Sequence, residues 1–589
     1  MNLFLRLAIV FLVLFPSLAF ADERPNVIVI LTDDQGWGDL SLHGNPNLST
    51  PRIDSLAKDG ARIENFYVCP VCSPTRAEFL TGRYHTRMGV FSTSRGGERF
   101  NSDEQTIADV FRGAGYRTAA FGKWHSGMQH PYHPNARGFE EFYGFCSGHW
   151  GHYFSPMLEH NGKIVQGDKF IVDDLTNRAM SFIDEDRDQP FFVYLPYNTP
   201  HSPMQVPVRY WNRFKDREIV PDPAPRNQKK TSLQHTRAAL AMCENIDDNV
   251  GRLLDHLDQR ELTENTIVVF FCDNGPNGSR FNGGLRGRKG ATFEGGVRSP
   301  CLLRYPKRIK KDTRVSQISA AIDLLPTFAD FAGIQLESPK PLDGISMRSW
   351  LEGNDELSDR LLFSAWNKKS TVRSQRFRMH HSGELFELEN DPGEQKDLAA
   401  DRPEIAKRLG DALAAWQKEN PLQPFRSKVT RAFPLGHPDA EWTQLPARDA
   451  IPGGKITRSN RYPNCTFMQS WTDTDSTISW DVDVLRQGNF EVQMYYSVAA
   501  KDVGSTIRLS CGESSITARI TEPNEVPLIG EAEDRFKRVE GFVRRWKPFS
   551  LGQIELGAGR QQLVLRAEEV AGSEVANMRL LMFRRVGDE

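Results

Sequence analysis

The sequence predicts a three-layer α/β fold, a small antiparallel subdomain behind it, and a β-sandwich at the end. Three observations predict this. Apolar runs without alternation recur through the first 300 residues, with helical patterns between them. Such runs suit strands whose sheet is covered on both faces. From residue 301 come short strand-like segments and a closing helix, and from 441 the pattern turns to period-two alternation without helices.

Along the chain, residues 26–32, 117–121, 190–195 and 266–272 read as buried strands. Thr50-Pro51 starts a helix, since proline fits its first turn; Ile53, Leu56 and Ala57 share one face and Gly60 ends it. A longer helix is expected over 233–257. Residues 359–363 and 371–388 read as short strands and 403–417 as a helix. In the last region 477–484, 489–496, 505–509, 515–520 and 562–566 alternate. The expected divisions are 22–300 for the catalytic α/β domain, 301–424 for the small subdomain, 425–440 for a linker, and 441–589 for the sandwich. The sandwich carries Trp442, Trp471, Trp480, Tyr495, Tyr496 and Trp546, which makes it a candidate carbohydrate-binding module, although any sandwich core also uses such residues. On this division the catalytic part is expected to fold and turn over small substrates without it.

Residues 1–21 read as a signal peptide: a short positive start, an apolar run over 7–15, and a small-x-small ending at Ala21. The run is too short to span a bilayer, and no cysteine follows Ala21 to take a lipid, so the expectation is a secreted or periplasmic protein without a stable membrane anchor. A net charge of -2 among 74 basic and 76 acidic residues gives no basic excess for nucleic acid. Eight cysteines in 589 residues are too few for a disulfide framework, so the core must supply stability, with one or two bridges at most.

Ligands of an open α/β sheet bind beyond the carboxyl ends of its strands. The four predicted strands deliver Asp33 and Asp34, then Lys123 and His125, then His201, then Asp273 and Asn274. The three aspartates and the amide oxygen of Asn274 are a hard, all-oxygen ligand set, suited to Ca²⁺ or Mg²⁺. Each pair alone could be a turn after a strand; four strands converging is a site.

The sharpest local signal is Cys72-Ser-Pro-Thr-Arg76, continued by Ala-Glu-Phe-Leu-Thr81-Gly82-Arg83. It resembles the signature of the sulfatase family, in which the cysteine is oxidised to formylglycine before folding. Gly122-Lys-Trp-His125, Pro200-His201-Ser-Pro203, Leu285-Arg-Gly-Arg-Lys289-Gly, Glu294-Gly-Gly-Val-Arg298-Ser-Pro300 and Leu385-Phe-Glu-Leu-Glu-Asn-Asp-Pro392 resemble later motifs of that family, in its order, over about residues 24–420. Thr75 stands where the family usually has Ser or Ala and keeps a hydroxyl.

The resemblance implies an alkaline-phosphatase-like fold and hydrolysis of sulfate esters, with a sulfated carbohydrate as substrate and formylglycine-generating machinery as a partner in maturation. Residue 72, as an aldehyde hydrate, would attack sulfur and also ligate the metal, which the resemblance makes Ca²⁺ ahead of Mg²⁺. Lys123 and Lys289 would face the sulfate, Arg76 would orient the diol, His201 would protonate the leaving alcohol, and His125 would take the proton that expels sulfate. His149 and His152, in Gly148-His-Trp-Gly-His152, fall where the family shapes its substrate pocket. Two rival readings are a phosphate or phosphonate monoester hydrolase on the same fold and an inactive sulfatase-like carbohydrate-binding protein.

Overall fold

The computed structural model describes residues 24–185, 188–223, 232–354, 356–422 and 431–587. The signal peptide expected over 1–21 and the linker residues 425–430 lie outside them. Four neighbouring parallel strands form the centre of the main sheet: β1 (Asn26–Asp33), β2 (Arg117–Lys123), β3 (Phe191–Pro200) and β4 (Thr266–Cys272), in the spatial order β4-β1-β3-β2.

Their apolar runs do not alternate because alternate side chains enter two different cores. Val27, Val29 and Leu31 face one layer with Ile267, Val269 and Phe271. Ile28 and Ile30 face the other with Val268 and Phe270. The first layer is closed by helices Cys72–Thr81, Ile107–Gly113 and Leu324–Phe331, and the second by Pro51–Lys58, Ile171–Glu185 and Leu233–Gln259. Burying each such side chain contributes about 1.5–3 kcal/mol, so the sheet edge that carries the polar residues stands on a rigid base. No helix among the described residues is long and apolar enough to cross a membrane.

The structure moves two expected divisions. Cys301–Arg304 pairs antiparallel with β4, and Thr313–Val315 lies at the edge of the same sheet. A boundary at residue 300 therefore cuts the sheet, and the sheet is mixed at its edges. At the other end, Phe433–Leu435 already pairs with Thr477–Val484, so the sandwich begins before residue 441. All eight cysteines are buried and free, so no disulfide contributes.

The small subdomain is an antiparallel sheet of Leu362–Trp366, Lys369–Arg373, Phe377–His380 and Leu385–Glu387. Helix Pro403–Glu419 covers it through Leu409, Leu413 and Trp416. The subdomain grips the segment that carries Lys289: Arg378 donates to Thr292 O (2.8 Å), and Glu294 N–H donates to Glu394 (2.7 Å).

The C-terminal sandwich has its own core, in which Trp471 and Trp480 are fully buried, so these two are packing residues. It does not hang free. Arg448 pairs with the buried Glu98, Arg538 donates to Gly151 O (2.6 Å), and Gln205 donates to Gly530 O (2.8 Å).

Candidate active site

Asp33 closes β1, Lys123 closes β2, and His201 and Asp273 directly follow β3 and β4. Because these strands are neighbours, the four polar ends meet. Asp34 (φ 68°) and His125 (φ 62°) are both left-handed, a conformation that costs energy for residues other than glycine and collects at functional sites.

Helix Cys72–Thr81 points its N-terminus into the same place. All ten of its residues are buried, and Val71 offers no side-chain cap, so its first N–H groups and the positive dipole end favour an anion. Thr75 anchors the helix: its hydroxyl accepts from Cys69 N–H (2.9 Å) and donates to Asp273 O (2.6 Å). This ties the departure from the family pattern to a structural bond. Cys72 itself is buried, and burial pushes its thiol up despite Lys123 and Lys289 nearby. A thiol held protonated is a poor nucleophile.

The carboxylates form the floor. Asp33, Asp273 and Cys72 offer ligand atoms within 4.8 Å of one another, as do Asp33, Asp34 and His201. Lys123 Nζ donates to Asp33 (2.6 Å) and Lys289 Nζ to Asp34 (2.6 Å). Burial opposes ionisation of Asp33, yet Lys123, His201, Arg76 and Lys289 hold its carboxyl well below the usual range. Burial and then the neighbouring Asp33 push Asp273 up to about 7. Asp33 Oδ1, Asp34 Oδ2 and Asn274 Oδ1 are buried with no hydrogen-bond partner. Buried acceptors are normally satisfied, and three unsatisfied acceptors converging among acidic groups fit a hard divalent cation. Asn274 is oriented for this because its Nδ2 donates to Asp34 Oδ1 (2.8 Å), which leaves Oδ1 facing inward.

Arg76 lies within electrostatic reach of Cys72, and its hydrogen bonds go to the floor and to a strand end. Its Nη2 and Nε donate to Asp273 Oδ2 (2.8 and 3.2 Å), and its Nη1 donates to Lys123 O (2.7 Å). It therefore fixes a carboxylate of the floor and the strand that carries Lys123.

The histidines divide. His125 Nε2 donates to Thr93 O (2.9 Å), leaving the buried Nδ1 without a partner, and burial together with Lys123 keeps the ring well below its ordinary pKa. His201 Nδ1 donates to Ser202 O (2.8 Å), so Nε2 faces the site, 3.8 Å from Asp34. His149 stacks on His201 with centroids 5.9 Å apart. Burial and the neighbouring His201 lower its pKa to about 3. His152 is not brought to the same place. It lines a separate cavity of about 190 Å³ between its loop and the sandwich, with Trp546 and Arg579.

A family model described as Sulfatase matches residues 25–334. The chain belongs to the sulfatase family. A second model, described as N-sulphoglucosamine sulphohydrolase, C-terminal, matches residues 288–419 of this sulfatase. N-acetylgalactosamine-6-sulfatase of dog (Canis lupus familiaris) is 30% identical over 381 residues, covering 59% of this chain and 69% of that protein. The crystal structure of Ps i-CgsB in complex with k-i-k-neocarrahexaose superposes with a TM-score of 0.62 at 30% identity, covering 69% of this chain and 96% of the other. The phosphonate monoester hydrolase of Agrobacterium radiobacter (TM-score 0.53, 20% identity, 67% and 96% covered) shares the fold alone. This sulfatase is thus a sulfuric ester hydrolase with an alkaline-phosphatase-like fold.

Sequence reasoning missed the support around the site. Arg280 bonds Asp39 through Nε (2.8 Å) and Asp34 O through Nη2 (2.7 Å), fixing the strained turn after β1. Two groups from the far end of the chain, Asn464 and Glu540, also reach it: Asn464 Nδ2 lies 3.2 Å from His149 Nδ1, and Ser202 donates to Glu540. No local motif marks either one.

Proposed function

We propose that this sulfatase hydrolyses sulfate esters of carbohydrate with residue 72 matured to formylglycine and a calcium ion in the acidic floor, acting outside the cytoplasm after loss of residues 1–21. The observation that carries it is the clustering of Asp33 and Asp273 with Cys72 at the uncapped start of a buried helix, beside buried oxygens of Asp33, Asp34 and Asn274 that have no hydrogen-bond partner. The names of the relatives support a sugar substrate: one is a sulfatase of N-acetylgalactosamine, and another was crystallised with a neocarrahexaose.

Asp33, Asp34, Asp273, Asn274 and residue 72 would hold the ion. When bound, calcium would polarise the sulfate and make a hydroxyl of hydrated residue 72 easier to ionise. The side chains around it have separable tasks. Lys123 and Lys289 each spend one N–H on a carboxylate and keep others for the sulfate oxygens. Arg76 holds Asp273 against repulsion from Asp33. His201 can carry a proton on Nε2 for the leaving alcohol, with Asp34 stabilising the imidazolium. His125, neutral and open at Nδ1, can accept the proton released at residue 72 when sulfate departs. The burial of Cys72 agrees with its oxidation before the chain closes over it.

The test is sulfate release from a sulfated oligosaccharide after exhaustive chelation and reloading. Chelation should lower turnover by at least about 100-fold, and calcium should restore it. The metal competes with a proton at Asp273, so its apparent affinity should fall as pH drops through about 7. Full activity with no detectable metal would refute the assignment, and restoration by magnesium alone would change the ion.

A further inference from the structure

The segment between strands Ser514–Arg519 and Lys547–Leu556 leaves the sandwich and reaches the catalytic domain. It is closed on itself by the bridge Ile529↔Val543 and pinned to the catalytic domain by the bridge Gln205↔Asp534. Arg538 fastens its inner side, bonding Asp534 Oδ1 (2.6 Å) and Gly151 O (2.6 Å). Glu540, two residues on, accepts a hydrogen bond from Ser202, the neighbour of His201, and its carboxylate is close enough to influence both His201 and His149. A second contact comes from the loop around residue 464. Asn464 lies beside His149, Cys465 Sγ donates to His149 O (3.2 Å), and a Cβ at Gly148 would sit 2.5 Å from His125 Nε2 and 2.8 Å from Asn464 Nδ2. The loop that carries His149 is therefore clamped between His125 and the sandwich.

We propose that the C-terminal sandwich completes the substrate pocket, and that Glu540 is a specificity-determining residue that accepts hydrogen bonds from hydroxyl groups of the sugar ring bearing the sulfate. This rests on the sulfatase reading above. The sulfate already has two lysines and a helix N-terminus, and a carboxylate beside it would only repel it. Among the described residues Glu540 forms no ion pair with lysine or arginine, and Arg538 is committed to Asp534. Burial opposes ionisation of Glu540, but His149, Ser202 and His201 hold its pKa below the ordinary value, and it stays an acceptor. A carboxylate only accepts, sugar hydroxyls donate, and the resulting charge-assisted bonds are strong. An aryl sulfate has no hydroxyls to offer it.

The experiment compares Glu540→Gln and Glu540→Ala with wild type on nitrophenyl sulfate and on the best substrate from a panel of sulfated monosaccharides. Glutamine keeps an acceptor for Ser202 while removing the charge. On the sugar, kcat/KM should fall about 10- to 100-fold for both variants, and on nitrophenyl sulfate it should stay within about threefold. Equal losses on the two esters, with unchanged thermal unfolding, would overturn the assignment by showing that Glu540 merely positions the histidines. An undiminished rate on the sugar would overturn it directly. Wild type inactive on every sulfate ester would remove the sulfatase reading and this role with it, whereas an active wild type with insensitive variants removes this role alone.

Discussion

Cys72→Ala should lower sulfate release by about 10⁴-fold or more, because it deletes the proposed nucleophile while leaving the rest of the site in place. The substitution is mild structurally. Cys72 is small and buried, and the cations that influence it have other partners: Lys123 with Asp33, Lys289 with Asp34, and Arg76 with Asp273. The variant should fold and still bind calcium through Asp33, Asp34, Asp273 and Asn274. Mass spectrometry of the wild-type peptide containing residue 72, from cells with the maturing machinery, should show a carbonyl oxygen in place of the thiol. Full activity in a protein whose residue 72 is entirely thiol would contradict the nucleophile assigned here.

The largest effect on stability is expected from Arg448→Met. Arg448 is buried where the sandwich meets the catalytic domain, pairing with Glu98 and with Asp449 (3.2 Å) and bonding Asn464 Oδ1 (3.0 Å). Its removal leaves the fully buried Glu98 with an uncompensated charge, a loss of about 3–5 kcal/mol. Glu98→Gln in the same chain should recover part of it, so a double-mutant cycle in urea isolates the pair. A single-variant change under about 0.5 kcal/mol would show that the interface is not cooperative with the core. The same contacts replace the expectation that the catalytic part works alone. Ending the chain near residue 424 would strand Glu98, Gln205 and the Gly151 carbonyl and uncover the loop that holds His149. Such a chain should be unstable and inactive even toward aryl sulfates.

Much of the fold was legible because its signals are local. The unbroken apolar runs at 26–32 and 266–272 could only be strands covered twice, and the polar residues just past their carboxyl ends marked the edge of the sheet that carries the site. Asp33, Asp34, Asp273 and Asn274 were readable for the same reason. The boundary at residue 300 was misplaced because a four-residue strand, Cys301–Arg304, is too short to show a period. Arg76 lies one turn from Cys72, which suggested a shared task; its ion pair with Asp273, far away in sequence, had no local signal. Glu540 and Asn464 were invisible: their roles depend on how two domains dock, and no spacing along the chain encodes that contact. The tryptophans of the sandwich gave an ambiguous signal for the reason already present in the sequence, since stacking on a sugar and filling a core use the same residue.

The central claim is tested most directly by kcat/KM on four matched substrates, a sugar sulfate, an aryl sulfate, an aryl phosphate and an aryl phosphonate, for wild type and His201→Ala. Charge alone cannot choose among these esters, because two lysines and a divalent ion would welcome any of them. Wild type should prefer the sulfates. An alkoxide leaves poorly without a proton while a nitrophenolate leaves well, so His201→Ala should lose about 10²–10⁴-fold on the sugar sulfate and far less on the aryl sulfate. Equal losses on both sulfates would take the acid role from His201, and a wild-type preference for phosphate or phosphonate over sulfate would contradict the account as a whole.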